Sequence, residues 1–290
     1  MKLRVATIIL CVFILALLLS IAGCIDSSEP SEPLPVSVAV IPEGKWELEG
    51  HKCQTVVDTF HSILPIDIPV HLTDYNSEKT GEEYDVNMCF SVLKHIFMEP
   101  PYVLDYVYLF NHSFGGNPLV YVRKVDDTPL LNFEQYKEAK PSEEEAEKVS
   151  NLVGLVMNES DTSSNKIRID GTPEGFFEYV VLQIMGGQFY LFWHSNYNDT
   201  MIICEPAGVD KVIQALERYP IPMDFEQEAR NIDFHPNIEV NDDEVTVSLV
   251  LFSKWRGFVR VDSVINREYP HRIIQIEEFE LLEYYCGVTF

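Results

Sequence analysis

Basic residues are scarce in this chain. Only 21 Lys and Arg stand against 46 Asp and Glu, a formal net charge of −25 over 290 residues. Phosphate backbones are held by clustered Lys and Arg, so this balance argues against nucleic acid as a partner. The usual signatures of catalysis are missing as well. There is no Gly-x-Ser-x-Gly elbow, no phosphate-cradling Gly-rich loop ending in Lys-Ser/Thr, no His-Glu-x-x-His and no dinucleotide fingerprint. No Cys-x-x-Cys pair occurs, and zinc sites usually need one. Internal repeats and a second long linker are also lacking. What is present is an ordinary globular mixture, 46% apolar and 23% charged, which argues against both wholesale disorder and a polytopic membrane protein.

The first 24 residues are the informative part. Met1-Lys2-Leu3-Arg4 is a short basic start, and in the 18 residues from Val5 to Ala22 only Thr7 and Ser20 are polar. Gly23 and Cys24 follow, and then the chain turns abruptly polar. A basic start, an apolar run and small residues at its end are the parts of an export signal, and the positive-inside bias places everything after the run outside. Cys11 lies within the run and reads as a small hydrophobe.

Ile21-Ala22-Gly23-Cys24 resembles a lipobox, the cleavage and lipidation motif of prokaryotic lipoprotein precursors. The resemblance covers residues 1–24 only. It implies that a diacylglycerol is joined to the Cys24 thiol, that the peptide is cut just before it, and that two acyl chains moor the mature chain to the cell membrane on its extracytoplasmic face. An uncleaved transmembrane helix is the alternative, since 18 apolar residues sit at the lower limit for spanning. Removing Lys2 and Arg4 with the leader leaves 19 basic residues against 46 acids, a net of −27. A field of that sign keeps a surface protein soluble and discourages contact with anionic headgroups.

The expected organisation is a signal peptide over 1–23, a lipidated Cys24 with a Ser/Glu/Pro-rich tether over 24–35, and an extracytoplasmic domain over 36–290, either whole or divided into subdomains near 36–165 and 166–290. Periodicity predicts helices over 49–64, 83–98, 142–156 and 209–216. Strands are expected over 36–41, over 102–110 and 119–125 as a hairpin, over 176–185 and 188–195 across Gly186-Gly187, and over 201–204. A C-terminal meander over 245–252, 257–265 and 273–282 opens at Asn241-Asp242-Asp243. The predicted class is α+β, mostly antiparallel strands with about four amphipathic helices.

Four cysteines follow the anchor. An even number outside the membrane permits two disulfides, and the pairing expected here is Cys53–Cys89 with Cys204–Cys286, the first because both fall on apolar helix faces. Buried free thiols are the alternative. Asn-x-Ser/Thr triplets at Asn111, Asn158 and Asn198 are glycosylation acceptors where a host has the machinery. Three polar constellations could serve a ligand. Trp193-His194-Ser195-Asn196-Tyr197-Asn198 mixes aromatic area with polar tips. The oxygen-rich stretch of Asp233, His235, Asn241, Asp242, Asp243 and Glu244 lacks EF-hand spacing and reads as a solvated turn. His51, His61, His71 and His95 read as histidines beside core faces rather than metal ligands. No metal or cofactor is implied. The expected function is a membrane-anchored surface protein with a binding or structural role; the alternatives are a lipid-anchored solute receptor feeding a transporter, or an anchored hydrolase whose motif is unfamiliar.

Overall fold

The computed structural model describes residues 41–113, 115–139 and 166–287. In chain order the elements are β1 (Gly44–Glu47), α1 (Gly50–Ile63), β2 (Ile96–Met98), β3 (Tyr102–Asn111), β4 (Gly115–Lys124), α2 (Phe133–Ala139), β5 (Ile167–Ile169), α3 (Pro173–Met185), β6 (Met201–Ile203), α4 (Gly208–Ala215), α5 (Phe225–Ala229), β7 (Asn237–Val240), β8 (Glu244–Ser253), β9 (Gly257–Asn266) and β10 (Ile273–Leu282). Short 3₁₀ turns occupy Val70–Leu72, Val86–Ser91 and Trp193–Asn198. The fold is α+β, and among the described residues every strand pairing is antiparallel.

The C-terminal meander forms as its period-2 pattern predicts. The main sheet runs β1-β7-β8-β9-β10, with β6 on the same edge of β8 as β7 but farther along it. Strand β8 therefore meets two partners in turn, β7 over Val245–Ser248 and β6 over Val250–Phe252. Its burial alternates at first and is then continuous, because Leu249 and Leu251 enter one core while Val250 and Phe252 enter a second on the other face. The edges are protected by chemistry and length. Strand β1 has four exposed residues, and β10 carries Glu277, Glu278 and Glu280, charges that discourage edge-to-edge pairing.

The larger core joins α1, α3, the β3–β4 hairpin and the inner face of the sheet, and it draws residues from both halves of the described chain. The smaller one lies under α4 and α5, where Phe252 and Phe258 meet at 4.9 Å between ring centroids and Phe225 meets Tyr284 at 5.2 Å. Phe258 is fully buried, worth about 2–3 kcal/mol by area removed from water.

Two expectations are corrected here. Residues 176–185, expected as a strand, are helix α3. Its side chains from Gly175 to Met185 are all buried, between the sheet and the short β2–β5 pair. A helix buried on every side shows no 3.6-residue polarity, and its run of aromatic and β-branched residues imitates a strand. The marks of a helix start are nonetheless present: Thr172 caps it, accepting from Gly175 N at 3.1 Å, with Pro173 in the first turn and Glu174 near the positive end of the dipole. Residues 188–195, the expected partner strand, form no named strand and lead into the turn at 193–198.

The expected helix over 83–98 is the second correction. Only Val86–Ser91 winds, as a 3₁₀ turn. Asn87 spends its amide on the backbone of Leu104, donating to its carbonyl and accepting from its N–H, both at 2.9 Å. Ile96–Met98 then extends to pair with Ile167–Ile169. Tertiary hydrogen bonds here override a helical periodicity. Most of the 36–41 strand and all of the 142–156 helix lie outside the described residues, as do Cys24 and Asn158.

Candidate functional site

The segment between α3 and β6 carries two aromatic residues in the left-handed region, Tyr190 and Trp193, each with φ 53°. That conformation costs roughly 1–2 kcal/mol for a residue with a side chain, so the surroundings must hold it in place. Three contacts hold Tyr190. Its N–H donates to Pro65 O at 2.9 Å, its carbonyl accepts from the Tyr108 hydroxyl at 2.7 Å, and its own hydroxyl accepts from Tyr84 N at 3.2 Å. Phe189 is buried between the rings of Tyr84 and Tyr106, each 4.9 Å away.

Next, the chain is clamped to the tip of the β3–β4 hairpin. Phe192 N donates to Gly116 O at 2.9 Å, and Gly116 N donates to Phe192 O at 3.2 Å. Glycine is required on the hairpin side. Gly115 has φ +90°, and a Cβ there would overlap the Phe192 carbonyl oxygen and stand 3.0 Å from His194 N.

This clamp presents a strip of rings. His112, Phe110 and Phe192 are linked at 5.0 and 5.6 Å. A second run of rings begins at the next residue, from Trp193 to His194 at 4.1 Å, to Tyr197 at 5.9 Å, to Trp255 at 6.1 Å and to Tyr285 at 5.8 Å. Phe192 is 37% exposed, Trp193 46% and Tyr285 48%. Phe110 and His112 come from the end of β3, Trp255 from the β8–β9 turn and Tyr285 from the chain after β10, so with 192–197 four separate parts of the sequence contribute. Exposed Asn196 adds an amide beside the rings. Lys254 lies 5.7 Å over the Tyr219 ring nearby. Asp199, at the end of the turn, is held above the usual carboxylate range by burial, against the lowering charges of His61 and Lys254. The arrangement offers stacking area with polar tips.

Other polar clusters serve the fold. His95 Nδ1 meets Asp170 Oδ2 at 2.8 Å, and the Thr172 hydroxyl donates to Asp170 Oδ1 at 2.6 Å. Buried Glu178 accepts from His95 N at 2.7 Å. Burial pulls the His95 imidazole down, but the bond to Asp170 and the charges of Glu178 and Glu174 outweigh it, and its pKa is raised. Glu178 is raised by burial, against the lowering bond from His95 N. A small pocket lies elsewhere, against the inner face of the sheet. It is lined in part by Thr200, Ser253 and Ser263, with Arg256 and Glu278 paired at 2.5 and 3.0 Å.

The residues singled out in the sequence scatter. His51 is exposed on α1, 3.5 Å from Glu205, and His61 is exposed near that helix's end. His71 binds Glu83 at 2.6 Å. Asp233 and His235 pair with each other at 2.8 Å. The carbonyls of Asn241 and Asp242 accept from the Arg267 guanidinium at 2.9 and 3.1 Å. Asn111 ends β3, where its side chain accepts from Ser113 N. Cys53, Cys89, Cys204 and Cys286 are buried and unbridged in the structure. Burial, with the nearby charges of Glu174, Glu178 and Glu49, pushes the Cys53 thiol up to about 12; burial also raises Cys89 and Cys204. Among the described residues, no group of three or more His, Cys, Asp and Glu is placed to hold a metal ion, and no helix is long and apolar enough to cross a membrane. Of the sequence candidates, only the run at 193–198 belongs to the strip. Its distant members Phe110, His112, Trp255 and Tyr285 had no signal in the sequence, since only the fold brings them together.

No protein-family model matches the chain, and neither the curated proteins nor the solved structures contain a match.

Proposed function

We propose that the protein is a membrane-anchored surface lipoprotein, moored through Cys24, that binds an extended, uncharged ligand on the strip from Trp193 to Tyr285. The observation that carries the binding role is Trp193: its backbone is held in a left-handed conformation while its ring is 46% exposed in an unbroken row of aromatics. Strain kept at a position where the ring is left half exposed is expected where presentation of the ring has a use. An elongated row suits a chain better than a compact molecule. The net charge of −25 repels polyanions. A neutral glycan meets these conditions, with C–H faces for the rings and hydroxyl edges for Asn196.

Tryptophan emission during titration with a panel of neutral polysaccharides, with heparin as the anionic control, tests the reading. Trp193→Gly is the informative variant, because glycine takes a φ of 53° without strain. The variant sheds the left-handed strain while losing the half-buried ring, so the two effects on stability oppose, and it loses at least about tenfold in affinity, equivalent to 1.4 kcal/mol. A panel that leaves the emission unchanged, or equal binding by Trp193→Gly, contradicts the proposal.

A further inference from the structure

We infer that Cys53 and Cys204 form the chain's disulfide when it folds in the presence of a disulfide oxidant, leaving Cys89 and Cys286 as thiols. Placement of the backbone carries the inference. Gly50, Cys53, Gln54 and Val57 form the buried stripe of α1. Cys204 lies directly on that stripe: a Cβ at Gly50 would overlap the Cys204 carbonyl oxygen, and Cys204 N donates to Gln54 Oε1 at 2.8 Å. Residue 53 follows 50 by one turn and adjoins 54, so its side chain shares the face covered by Cys204. In agreement, the Cys204 thiol is raised first by burial and next by the charge of Cys53.

The other pairings have less support. Cys89 shares the larger core with Cys53, but it lies on the 86–91 turn, and its charge is felt by Tyr84. Cys286 belongs to the smaller core with Tyr284, whereas Cys204 belongs to the larger. In the folded protein both thiols are buried and protonated, hence poor nucleophiles, so the bond forms while the chain is still closing. The chemistry is thiol–disulfide exchange. One thiolate attacks the oxidant's S–S bond and expels a thiolate, and the second thiolate attacks the mixed disulfide and expels the other. The protein loses two protons and two electrons, and the oxidant leaves as two thiols. Export would supply such an oxidant, but the pairing depends on the fold alone.

Refolding of the full chain with oxidised and reduced glutathione separates the pairing from the question of export. The expected product is about 2 Da lighter than the reduced full chain, retains reactive thiols at Cys11, Cys24, Cys89 and Cys286 after denaturation, and yields one linked peptide pair containing Cys53 and Cys204. Cys89→Ser keeps the link, and Cys204→Ser abolishes it. Reduction lowers the melting temperature by roughly 5–15 °C, because the bond closes a loop of about 150 residues. A link between Cys53 and Cys89, a link between Cys204 and Cys286, or all six thiols of the full chain free after oxidative refolding overturns the inference.

Discussion

Replacing Gly115 by alanine attacks the clamp that presents the aromatic strip. Two costs add. At φ +90° an alanine pays roughly 1–2 kcal/mol that glycine does not. The new Cβ also overlaps the Phe192 carbonyl oxygen, a backbone atom that moves only if the 192–194 segment moves, and overpacking of this kind costs typically 1–3 kcal/mol. The sum is about 2–5 kcal/mol, within the total stability of roughly 5–15 kcal/mol expected of a domain, so the variant still folds. Gly81→Ala is the matched control. Gly81 has φ +86° but nothing within 4 Å of its notional Cβ, so it carries the conformational cost alone, about 1–2 kcal/mol. Urea unfolding of both variants, followed by tryptophan emission, measures the difference. Gly115→Ala is expected to be the less stable by about 2 kcal/mol, with altered native emission from Trp193. Equal losses in the two variants would refute the clamp.

Other outcomes follow from buried charge and packing. Burial alone would raise Glu83, but donors from Thr80, Gly81 and His71 bring its carboxyl to about 2. Glu99 is held at about 2 first by the Tyr269 hydroxyl and then by Arg168 and Lys166. A carboxylate depressed in the folded state contributes stability above its unfolded pKa of about 4.3, and this is lost as pH falls toward 2. Glu83→Gln is thus expected to cost about 2–3 kcal/mol at pH 7 and progressively less in acid, as read by denaturation at several pH values. His95 and Glu178 have the opposite sign. Their raised pKa values favour the folded state at low pH, and their contributions fade as pH rises through the folded values, so His95→Gln flattens stability on the neutral side. Asp105 is the buried partner of Lys79 and Arg123. Asp105→Ala strands the buried Lys79 ammonium and removes one acceptor from Arg123, which keeps its bonds to backbone carbonyls, and is expected to cost about 3–5 kcal/mol in chemical denaturation.

Legibility from the sequence followed burial. Helix α1, the β3–β4 hairpin and the β8–β9–β10 meander each keep one face wetter than the other, so their polarity repeats at the period of the element. Helix α3 has no wet face. Only its cap, Thr172-Pro173-Glu174, marked it as a helix, and a ten-residue run in which only Glu178 and Gln183 are polar outweighed three residues of cap. The 83–98 segment failed for the opposite reason: its periodicity was helical, but Asn87 and the β2–β5 pairing drew the backbone elsewhere. Of the strip, the sequence exposed only residues 193–198, because long-range contacts bring Trp255 and Tyr285 alongside. The left-handed backbone at Tyr190 and Trp193 left no mark, since neither is glycine or asparagine.

The central claim is that this domain works outside the cell, tied to lipid at residue 24. Intact-mass measurement of the protein extracted by detergent from membranes of cells expressing the full chain tests it most directly. The account expects a chain beginning at Cys24 whose mass exceeds that of residues 24–290 by a diacylglycerol, released from membranes by detergent and not by salt. A chain that retains Met1 and lies free in the cytosol, or one that begins at an unmodified Cys24 or beyond, would contradict it.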